Sequence, residues 1–449
     1  MKRTIGKLLI IGALTFLINA LFVGIGLSQT PSSRKAYEAS YLYIIDPSGH
    51  DYPHNGTPSW GDNGDLTNGI AHDDGNWYIS SLGNDGLGFP DNTWVIWRIP
   101  VTEALDQNFS GNPAVNVVHL KDVPILKDNR YGHAGDLETY RYEGMDYLLV
   151  PLTGYPLLDK NGRPIPGTTP PPAIAVFRAD ALSFVGYASL GAQQSAGWCA
   201  VAPNGDLITS DNHANGLLRY SIPWGQIALS GYLGQFSVTH KDTHSLRDEF
   251  GNSLLLNHMQ GGEFTPSGEL LYVNCGIFVD RFPTDGIHVF DTASWKRVQR
   301  SFNSGFRYSC CPPYFIYRFD NTFDGGEEPE GLTIWDLDDG RAPNVRGQLH
   351  VLLYNHNYTS TNRVYLKHYT NKIYVDASAS APPPKNEYDP PPLQGTPEQP
   401  FDTVSNAFNW YPAWDGAEIV IKAGLYHETG TFSKRVRLTS QGGAAILGR

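Results

Sequence analysis

The residues of this chain that could do chemistry stand beside one short phrase that recurs five times: a turn, a glycine and an apolar strand. Imidazole, carboxylate and amide side chains flank the glycine in nearly every copy. Such groups transfer protons, bind hydroxyls and ligate cations, so their repetition predicts one shared site if the copies surround an axis. The candidates for proton transfer are His133, His258 and Glu330, and those for ligand binding are Asn68, His72, Asp136, Gln194, Gln260, Asp211 and His213.

Two kinds of metal fit these side chains equally well. Two or three imidazoles with a carboxylate suit Zn²⁺, whereas carboxylates with amides and water suit Ca²⁺. Spacing does not decide between them, because the ligands come from distant copies of the repeat. The chain has no HExxH pair, no G-x-S-x-G elbow, no phosphate loop and no C-x-x-C pair, which argues against acyl-enzyme and nucleoside triphosphate chemistry.

Each candidate also has a structural interpretation. His72 lies within an apolar strand and is compatible with a hydrogen-bonded core histidine. Asp136 and Glu138 alternate along a strand, so both could bond the backbone amides of neighbouring strands. Glu330 follows a Glu-Glu-Pro turn and could be solvated there. Asp211 and His213 lie beside a Gly-rich turn, where polar side chains are common.

The repeat itself predicts the elements that must position these groups. The phrases are NGIAH at 68–72, AGDLE at 134–138, AGWCA at 196–200, GGEFT at 261–265 and EGLTI at 330–334. Their glycines are Gly69, Gly135, Gly197, Gly262 and Gly331, about 65 residues apart. A constant period of this length indicates one folding unit that is used several times.

Each unit contains further short strands. Second strands are predicted at 77–81, 147–152, 206–210, 270–274 and 349–354, and third strands at 94–99, 173–177, 216–222, 286–291 and 363–369. Outer strands are predicted at 115–120, 184–190 and 296–302. Short β-branched and aromatic runs separated by glycine turns are typical of antiparallel meanders, and such units stack radially as propeller blades. The sequence therefore predicts an all-β, five-bladed propeller over 38–370, or six blades if 41–46 builds another.

Composition limits the partners. The chain has 449 residues with a formal net charge of −12, 12% aromatic and 17% charged residues. A nucleic acid or an anionic membrane is disfavoured as a partner, because binding to phosphate requires a basic surface. A neutral sugar or a cation remains compatible with this charge.

The N-terminus predicts export. Lys2, Arg3 and Lys7 precede an apolar run at 8–27 and a small-residue site before Gln29, so 1–28 is expected to be a signal peptide or an uncleaved N-terminal anchor. The protein is then secreted, periplasmic or displayed at the cell surface. Of the four cysteines, Cys199 and Cys275 could meet inside the propeller or be separate buried thiols, and adjacent Cys310 and Cys311 favour free thiols over a mutual disulfide.

The C-terminal part resembles another fold. The motifs YVD at 374–376, GTPEQPFD at 395–402 and EIVIKAGLYHE at 418–428 resemble the opening of secreted right-handed parallel β-helix proteins, the pectin-lyase-like fold. That resemblance implies a first strand within a Pro-rich connection at 371–400, then a capping helix and a first coil at 401–449. The sequence stops after about one coil, so we expect either a piece of a longer protein or a coil docked on the propeller.

The propeller part resembles exported bacterial and fungal propellers of unassigned function. The residues that carry this likeness are GIAHD at 69–73, GHAGD at 132–136, QSAGWCAV at 194–201, HMQGGEF at 258–264 and EPEGLTIW at 328–335. The architecture is also similar to gluconolactonase and paraoxonase propellers. That likeness implies a central Ca²⁺ held by Glu, Asn and Asp, and it does not by itself fix a function.

Three functions follow as hypotheses. The first is an exported module that binds a polysaccharide or small ligand at the channel mouth, helped by Trp60, Trp94, Trp97, Trp198 and Trp224. The second is a metal-dependent hydrolase or lyase in which His133 or His258 is the base. The third is an interaction scaffold at the cell surface.

Overall fold

The computed structural model describes residues 42–44, 67–82, 94–105, 109, 112–276, 284–303, 314–317, 327–343, 345–355, 363–369, 372–379, 395, 397, 400–409, 418–429 and 436–448. The predicted targeting segment, Trp60, the cysteine pair at 310–311 and most of the Pro-rich stretch lie outside these residues. No helix among the described residues is long and apolar enough to cross a membrane.

Strands are the main secondary structure of the described residues. In chain order they are β1 Leu42–Ile44, β2 Thr67–His72, β3 Asn76–Leu82, β4 Trp94–Pro100, β5 Asn116–His119, β6 Tyr131–Ala134, β7 Glu138–Tyr142, β8 Met145–Gly154, β9 Ala173–Arg178, β10 Ser183–Ser189, β11 Ala200–Val201, β12 Asp206–Thr209, β13 Gly216–Ser221, β14 Gly234–Gln235, β15 Thr239–Ser245, β16 Met259–Phe264, β17 Leu270–Cys275, β18 Gly286–Asp291, β19 Lys296–Asn303, β20 Tyr314–Tyr317, β21 Glu327–Ile334, β22 Leu349–Asn355, β23 Arg363–Tyr369, β24 Lys372–Val375, β25 Glu418–Tyr426 and β26 Arg437–Leu447. A 3₁₀ turn spans Leu120–Asp122, and the helices are α1 Pro124–Asp128, α2 Trp224–Leu229 and α3 Val404–Asn409.

Five of the sheets are propeller blades. Blade 1 contains β2 to β5, blade 2 contains β6 to β10 with β14, blade 3 contains β11 to β13 with β15, blade 4 contains β16 to β20, and blade 5 contains β21 to β23 with β1. Within a blade the main strands pair antiparallel with their neighbours in sequence. Blade 1 shows how a turn fixes the register, because the Asp73 carboxylate accepts hydrogen bonds from the N–H groups of Gly75 and Asn76, both at 2.7 Å.

The first described strand decides the number of blades. Strand β1 pairs antiparallel with β23, with Leu42 opposite His368. The segment at 41–46 therefore completes the last blade instead of building a sixth, and the five-bladed prediction is confirmed. Pairing of an early strand with the last blade closes the ring and covers an edge that would otherwise be exposed.

The cores lie between blades. Five buried apolar clusters alternate around the ring, each formed by two neighbouring blades. Tyr78 of blade 1 packs with Leu148 of blade 2, for example, and Trp77 of blade 1 packs with Leu352 of blade 5. Each sheet thus buries both of its faces only because a neighbour stands on each side, which a single blade cannot achieve.

The two internal cysteines belong to different clusters. Cys199 is buried between blades 2 and 3, and Cys275 is buried between blades 3 and 4. Both are free thiols. They act as small apolar side chains, and the alternative in which they meet does not occur.

The repeated glycines bring the inner strands together. A Cβ on Gly69 would overlap the backbone of Gly135, and one on Gly135 would overlap the carbonyl of Gly197. A Cβ on Gly331 would lie 2.8 Å from the Cα of Gly69. In the fourth blade the glycine at this place is Gly261, whose Cβ would lie 2.7 Å from the carbonyl oxygen of Glu330, and not the predicted Gly262, whose Cβ would meet the ring of Trp198. The inner strands therefore pass too close together at these four glycines to leave room for a Cβ.

Some outer strands were not predicted. Blade 3 ends in β15, whose side chains are mostly exposed, and β14 and β20 add to blades 2 and 4 in parallel orientation. An exposed edge strand has little apolar periodicity, so the sequence signal for it is weak.

The C-terminal strands form a separate parallel sheet. Strands β24, β25 and β26 pair in parallel, with Val375 opposite Ile421 and Ile421 opposite Ser440. Helix α3 begins where the Glu428 carboxylate accepts hydrogen bonds from two backbone N–H groups at its first turn. Lys372 of β24 pairs with Asp336 and Asp338 beyond blade 5, at 2.8 and 3.1 Å. The β-helix resemblance implies a parallel sheet with an adjacent helix, and these strands form such a sheet. The β-helix itself remains a prediction.

Candidate functional site

The repeated glycines divide the channel into two ends. We call the end lined by residues that precede the glycines the upper end, and the end lined by residues that follow them the lower end. The side-chain hydrogen bonds lie within one end or the other. Above the glycines, Asn68 bonds to His133 and Gln260 bonds to Glu328. Below them, His72 and Glu263 both bond the backbone of Ile334. The predicted site residues are therefore distributed over two separate places.

Asp136 lies between the two ends and is fully buried. Its Oδ1 accepts hydrogen bonds from the N–H groups of Ile70 and Leu137, at 2.9 and 3.1 Å. Its Oδ2 accepts from Gly262 and Leu332, at 3.1 and 3.3 Å. Burial raises the pKa of this carboxyl well above its ordinary value, and the N–H donors oppose that shift.

This arrangement gives Asp136 a structural role. Four N–H donors occupy the acceptor sites of both oxygens, so a ligand finds no free lone pair there. The donors come from blades 1, 4 and 5 as well as from Asp136's own blade 2. The carboxylate thus ties four inner strands together at the axis, and it is not one of the groups that face the upper end.

Asn68 and His133 contact each other at the upper end. The Asn68 amide nitrogen donates to His133 Nε2 at 3.0 Å, which places the ring proton on Nδ1. His133 packs against Trp94 with ring centroids 4.6 Å apart. Burial lowers the pKa of His133 to about 4, so the ring is neutral at pH 7. Its Nδ1 and the Asn68 amide oxygen are both buried without a hydrogen-bond partner.

Two glutamates and one glutamine also lie at the upper end of the channel. The Gln260 amide donates to Glu328 at 2.8 Å. Glu330 is 4% exposed, and its pKa is raised well above the ordinary value by burial, by Glu328 and by Asp136. The surroundings of the Glu330 carboxyl therefore disfavour its ionised form.

Asn274 is a site residue that the sequence analysis missed. It lies at the upper end of β17, is fully buried, and neither atom of its amide has a hydrogen-bond partner. A Cβ on Gly261 would lie 2.8 Å from Asn274 Oδ1, 2.7 Å from Asp136 Oδ2 and 2.7 Å from the Glu330 carbonyl oxygen. The asparagine therefore points to the axis beside Glu330. Its one sequence signal is an amide in an otherwise apolar strand.

The remaining upper candidates lie in blades 3 and 4. His213 and His258 are in edge-to-face contact, with ring centroids 4.3 Å apart. His258 has a positive φ of 48°, a conformation that non-glycine residues adopt at a cost and that is enriched at functional sites. The Asp211 carboxylate accepts from the N–H groups of Gln194 and Ser195, at 2.7 and 2.9 Å, so Asp211 organises the loop that carries Gln194.

The lower end holds His72 apart from the other candidates. His72 is stacked on Trp335, with ring centroids 4.5 Å apart, and its nitrogens lie within hydrogen-bond distance of two backbone carbonyls. Glu263 lies 3.8 Å from this imidazole, and Glu138 accepts from the backbone of Val201 and Thr139. Burial lowers the pKa of His72. These contacts make it a packed, neutral histidine between blades 1 and 5, not a partner of His133.

Glu263 should make the fold sensitive to alkali. Burial raises the pKa of Glu263 to about 8 from 4.5, so the folded state retains a proton that the unfolded state has released. The stabilisation is complete below pH 4.5 and is lost as the pH rises through 8. Between pH 6.5 and 8 we expect the contribution of Glu263 to the free energy of unfolding to fall by on the order of 2 kcal/mol.

Urea titrations across that window measure the effect, and Glu263→Gln is the matched variant. Burial lowers the pKa of several histidines in the folded protein, so near pH 6.5 they bind protons only in the unfolded state. Their contribution to stability rises with pH in this window, and it cancels when the parent is compared with the glutamine variant. The free energy of unfolding of the parent should therefore fall relative to that of the glutamine variant across this window. Identical profiles for the two proteins would show that another group sets the slope.

The described residues bring together no group of three or more His, Cys, Asp or Glu side chains able to hold a metal ion. At the upper end His133 is bonded to Asn68, and His213 contacts His258. The carboxylate of Asp136 accepts hydrogen bonds from backbone N–H groups. The described residues therefore do not show a Ca²⁺ or Zn²⁺ centre.

The predicted sugar-stacking tryptophans are mostly core residues. Trp94, Trp198 and Trp224 are buried between blades. Trp97 is partly buried and donates to Ser81 at 3.0 Å. Aromatic composition did not distinguish a binding surface from an inter-blade core, because large apolar side chains fill both.

No family model matches the chain, and no curated protein matches it. Among solved structures, a glycosyl hydrolase from Bacteroides ovatus is 13% identical, with a TM-score of 0.38, covering 74% of this chain and 94% of that chain. The GH43_1 enzyme from Xanthomonas citri complexed with xylose is 10% identical, with a TM-score of 0.36 and coverages of 67% and 86%. Kuenenia stuttgartiensis hydrazine synthase is 16% identical, with a TM-score of 0.23, and this chain spans only 39% of it. At these TM-scores the likenesses carry no inference about function.

Proposed function

We propose that this protein binds a carbohydrate at the upper end of its propeller channel. The observation that carries the proposal is a set of buried polar atoms without partners, namely Asn68 Oδ1, His133 Nδ1 and both amide atoms of Asn274. A buried polar group left unpaired costs about 1–3 kcal/mol, so several together indicate a ligand or water that pairs them.

The mixture of donors and acceptors favours hydroxyl groups. His133 Nδ1 and the Asn274 nitrogen donate, while the two asparagine oxygens accept. A sugar hydroxyl both donates and accepts, so vicinal hydroxyls can satisfy neighbouring groups of opposite kind. Export of the chain, as its N-terminus predicts, belongs to the same proposal, since it gives access to extracellular glycans.

A second candidate is an acid–base enzyme acting on the same ligand. The observation in its favour is that the pKa values of two groups at the upper end have moved in opposite directions, since that of the His133 imidazole is lowered and that of the Glu330 carboxyl is raised. Such separation is a common way to obtain a base and an acid at one pH. Release of new reducing ends from a bound oligosaccharide would distinguish this enzyme from a binding module.

His133→Ala should weaken glycan binding at least tenfold. The substitution removes the free Nδ1 donor and the ring that orients the Asn68 amide, and each hydrogen bond lost to a ligand is worth about 1–3 kcal/mol. The measurement is calorimetry with the best binder from an array of neutral and charged oligosaccharides. His240→Ala is the control, because His240 is an exposed residue on the outer strand of blade 3.

Unchanged affinity in the His133 variant, with the fold intact, would place the ligand elsewhere. An array on which no glycan binds would remove the carbohydrate proposal as a whole.

A further inference from the structure

We propose that the contact between the last and the first blade is an acid-sensitive seam, which opens when two buried histidines, His350 and His368, are protonated. The seam consists of the pairing of β1 with β23 and of the apolar cluster between blades 5 and 1. That cluster includes Ile70, Trp77, Ile79, Leu352 and Leu366. Such a seam makes closure of the ring depend on pH, a property that goes beyond the proposed binding of a carbohydrate.

The two histidines lie in an apolar interior. They are opposite each other on β22 and β23 and are 0% and 1% exposed. Their ring centroids are 4.8 Å apart, and the Trp77 ring of blade 1 contacts His350 edge-to-face, with centroids 5.4 Å apart. Leu352 and Leu366 flank the pair on the same face of the sheet. A charge on either imidazole would therefore be buried among apolar groups.

The hydrogen bonds of the pair assign its protons. His350 Nε2 lies 2.8 Å from the backbone carbonyl oxygen of Trp335, so this nitrogen carries a proton and donates it. In the neutral ring His350 Nδ1 is then an acceptor, and His368 Nδ1, at 2.5 Å, is its donor. A lone pair is left on His368 Nε2, which is buried and has no hydrogen-bond partner. Both imidazoles are thus neutral in the closed seam.

A further proton has no suitable place in this arrangement. On His350 Nδ1 it would set one N–H group against that of His368 Nδ1. On His368 Nε2 it would create a buried charge and a donor without an acceptor. Protonation of either ring therefore requires the rings to separate or to reach water, and the seam must open for both.

Among the described residues, no carboxylate shifts the pKa of either histidine. On β21 the residue opposite the first histidine is Thr333, and on β1 the residue opposite the second is Leu42, both uncharged. The titratable neighbour on blade 1 is His72, which lowers the pKa of His350. Glu263 of blade 4 lies 3.8 Å from His72, on the far side from the pair. An added proton is thus not compensated by a negative charge.

The ladder that closes the ring is short. Strand β1 has three residues, whereas β22 and β23 have seven residues each. A short ladder opens at a smaller cost in free energy than a long one, so opening should begin at β1. Because Leu42 of β1 pairs with His368 itself, displacement of that ring disturbs the closing ladder directly.

Acid should favour the open seam. Burial lowers the pKa of His350 to about 3, and burial together with His350 lowers the pKa of His368 well below its ordinary value of 6.5. The open state binds protons near pH 6.5 and the closed state does not, so the stabilisation of the closed seam is complete above pH 6.5 and is lost as the pH falls towards 3. Each histidine that opening exposes should raise the opening constant on the order of 100-fold between pH 7 and pH 4.5.

Hydrogen–deuterium exchange of the full chain at pH 7 and pH 4.5, corrected for the intrinsic pH dependence of exchange, measures this opening. We expect the protection of 42–44 and 363–369 to fall at least tenfold at pH 4.5, while 206–209 and 216–221 of blade 3 keep theirs. An equal loss in all blades would show global acid unfolding and would overturn the proposal. Unchanged protection of the seam at pH 4.5 would also overturn it.

Replacing both histidines, His350→Leu with His368→Leu, should leave the seam protected at pH 4.5, because leucines do not titrate. His288→Gln is the matched control, since His288 of blade 4 is also buried with a lowered pKa, and its seam should open in acid as in the parent. If the double variant does not fold at pH 7, His368→Gln decides, because its amide can donate to His350 Nδ1 and does not titrate. An acid response of the parent's size in the folded double variant, or in His368→Gln where that variant is used, would assign opening to other groups and contradict the proposal.

Discussion

Asp136→Asn is expected to lower the free energy of unfolding by about 3–5 kcal/mol, since breaking a buried, fully bonded carboxylate leaves its partners unpaired. An asparagine keeps one acceptor oxygen and replaces the other with an amino group. That group would face the N–H donors of Gly262 and Leu332 or those of Ile70 and Leu137. In either orientation, the amino group of the asparagine would face backbone N–H donors at the axis.

Urea unfolding followed by tryptophan fluorescence measures this loss. Asp146→Asn is the matched control, because Asp146 pairs with Arg141 at the surface, and such pairs contribute less than about 1 kcal/mol. A loss in the Asp136 variant no larger than that in the control would show that the axial carboxylate does not hold the blades together.

Gly135→Ala is expected to destabilise the protein by about 3 kcal/mol, or to prevent its accumulation in folded form. The added Cβ would overlap the carbonyl of Gly197, a backbone group of the next inner strand. A flexible side chain could move aside, but an inner strand held by its own ladder and by a neighbouring blade cannot. The strain must then spread over the ring.

The control for that variant is Gly191→Ala. Gly191 is exposed, and a Cβ there meets no heavy atom within 4 Å, so its stability should stay within about 0.5 kcal/mol of the parent. Thermal and urea unfolding of the two variants side by side decide the matter. Equal stability of the two would mean that the channel has more room than the glycine contacts indicate.

These two variants bear on function as well as on stability. The axial glycines and Asp136 close the channel at its middle, so the upper and lower ends are separate. A ligand at the upper end therefore contacts residues that precede the glycines and does not reach His72 or Glu263. Any pH dependence of stability from Glu263 is then independent of ligand binding above.

The sequence by itself determined the blades. The spacing of the glycines, the apolar runs between them and the turn residues predicted five repeated meanders, and the described strands coincide with them. The physical reason is that strand and turn preferences are local, and that a glycine repeated at one place in each unit reports a contact common to all of them. The same alignment of repeats singled out Asn68, His133, Gln260 and Glu330 as candidates, and their role in a site remains a prediction.

Only the tertiary structure decided which of these groups are free to act. Asp136 and Glu330 look alike in sequence, yet one carboxylate is saturated by four N–H groups and the other lies beside an unpaired asparagine. His72 and His133 both flank a repeated glycine, but the glycine places them at opposite ends of the channel. The position of the Asn274 amide at the axis and the burial of Trp198 both depend on residues of neighbouring blades. The hydrogen bonds and the burial of a side chain depend on residues that are distant in sequence, so a local sequence pattern does not reveal them.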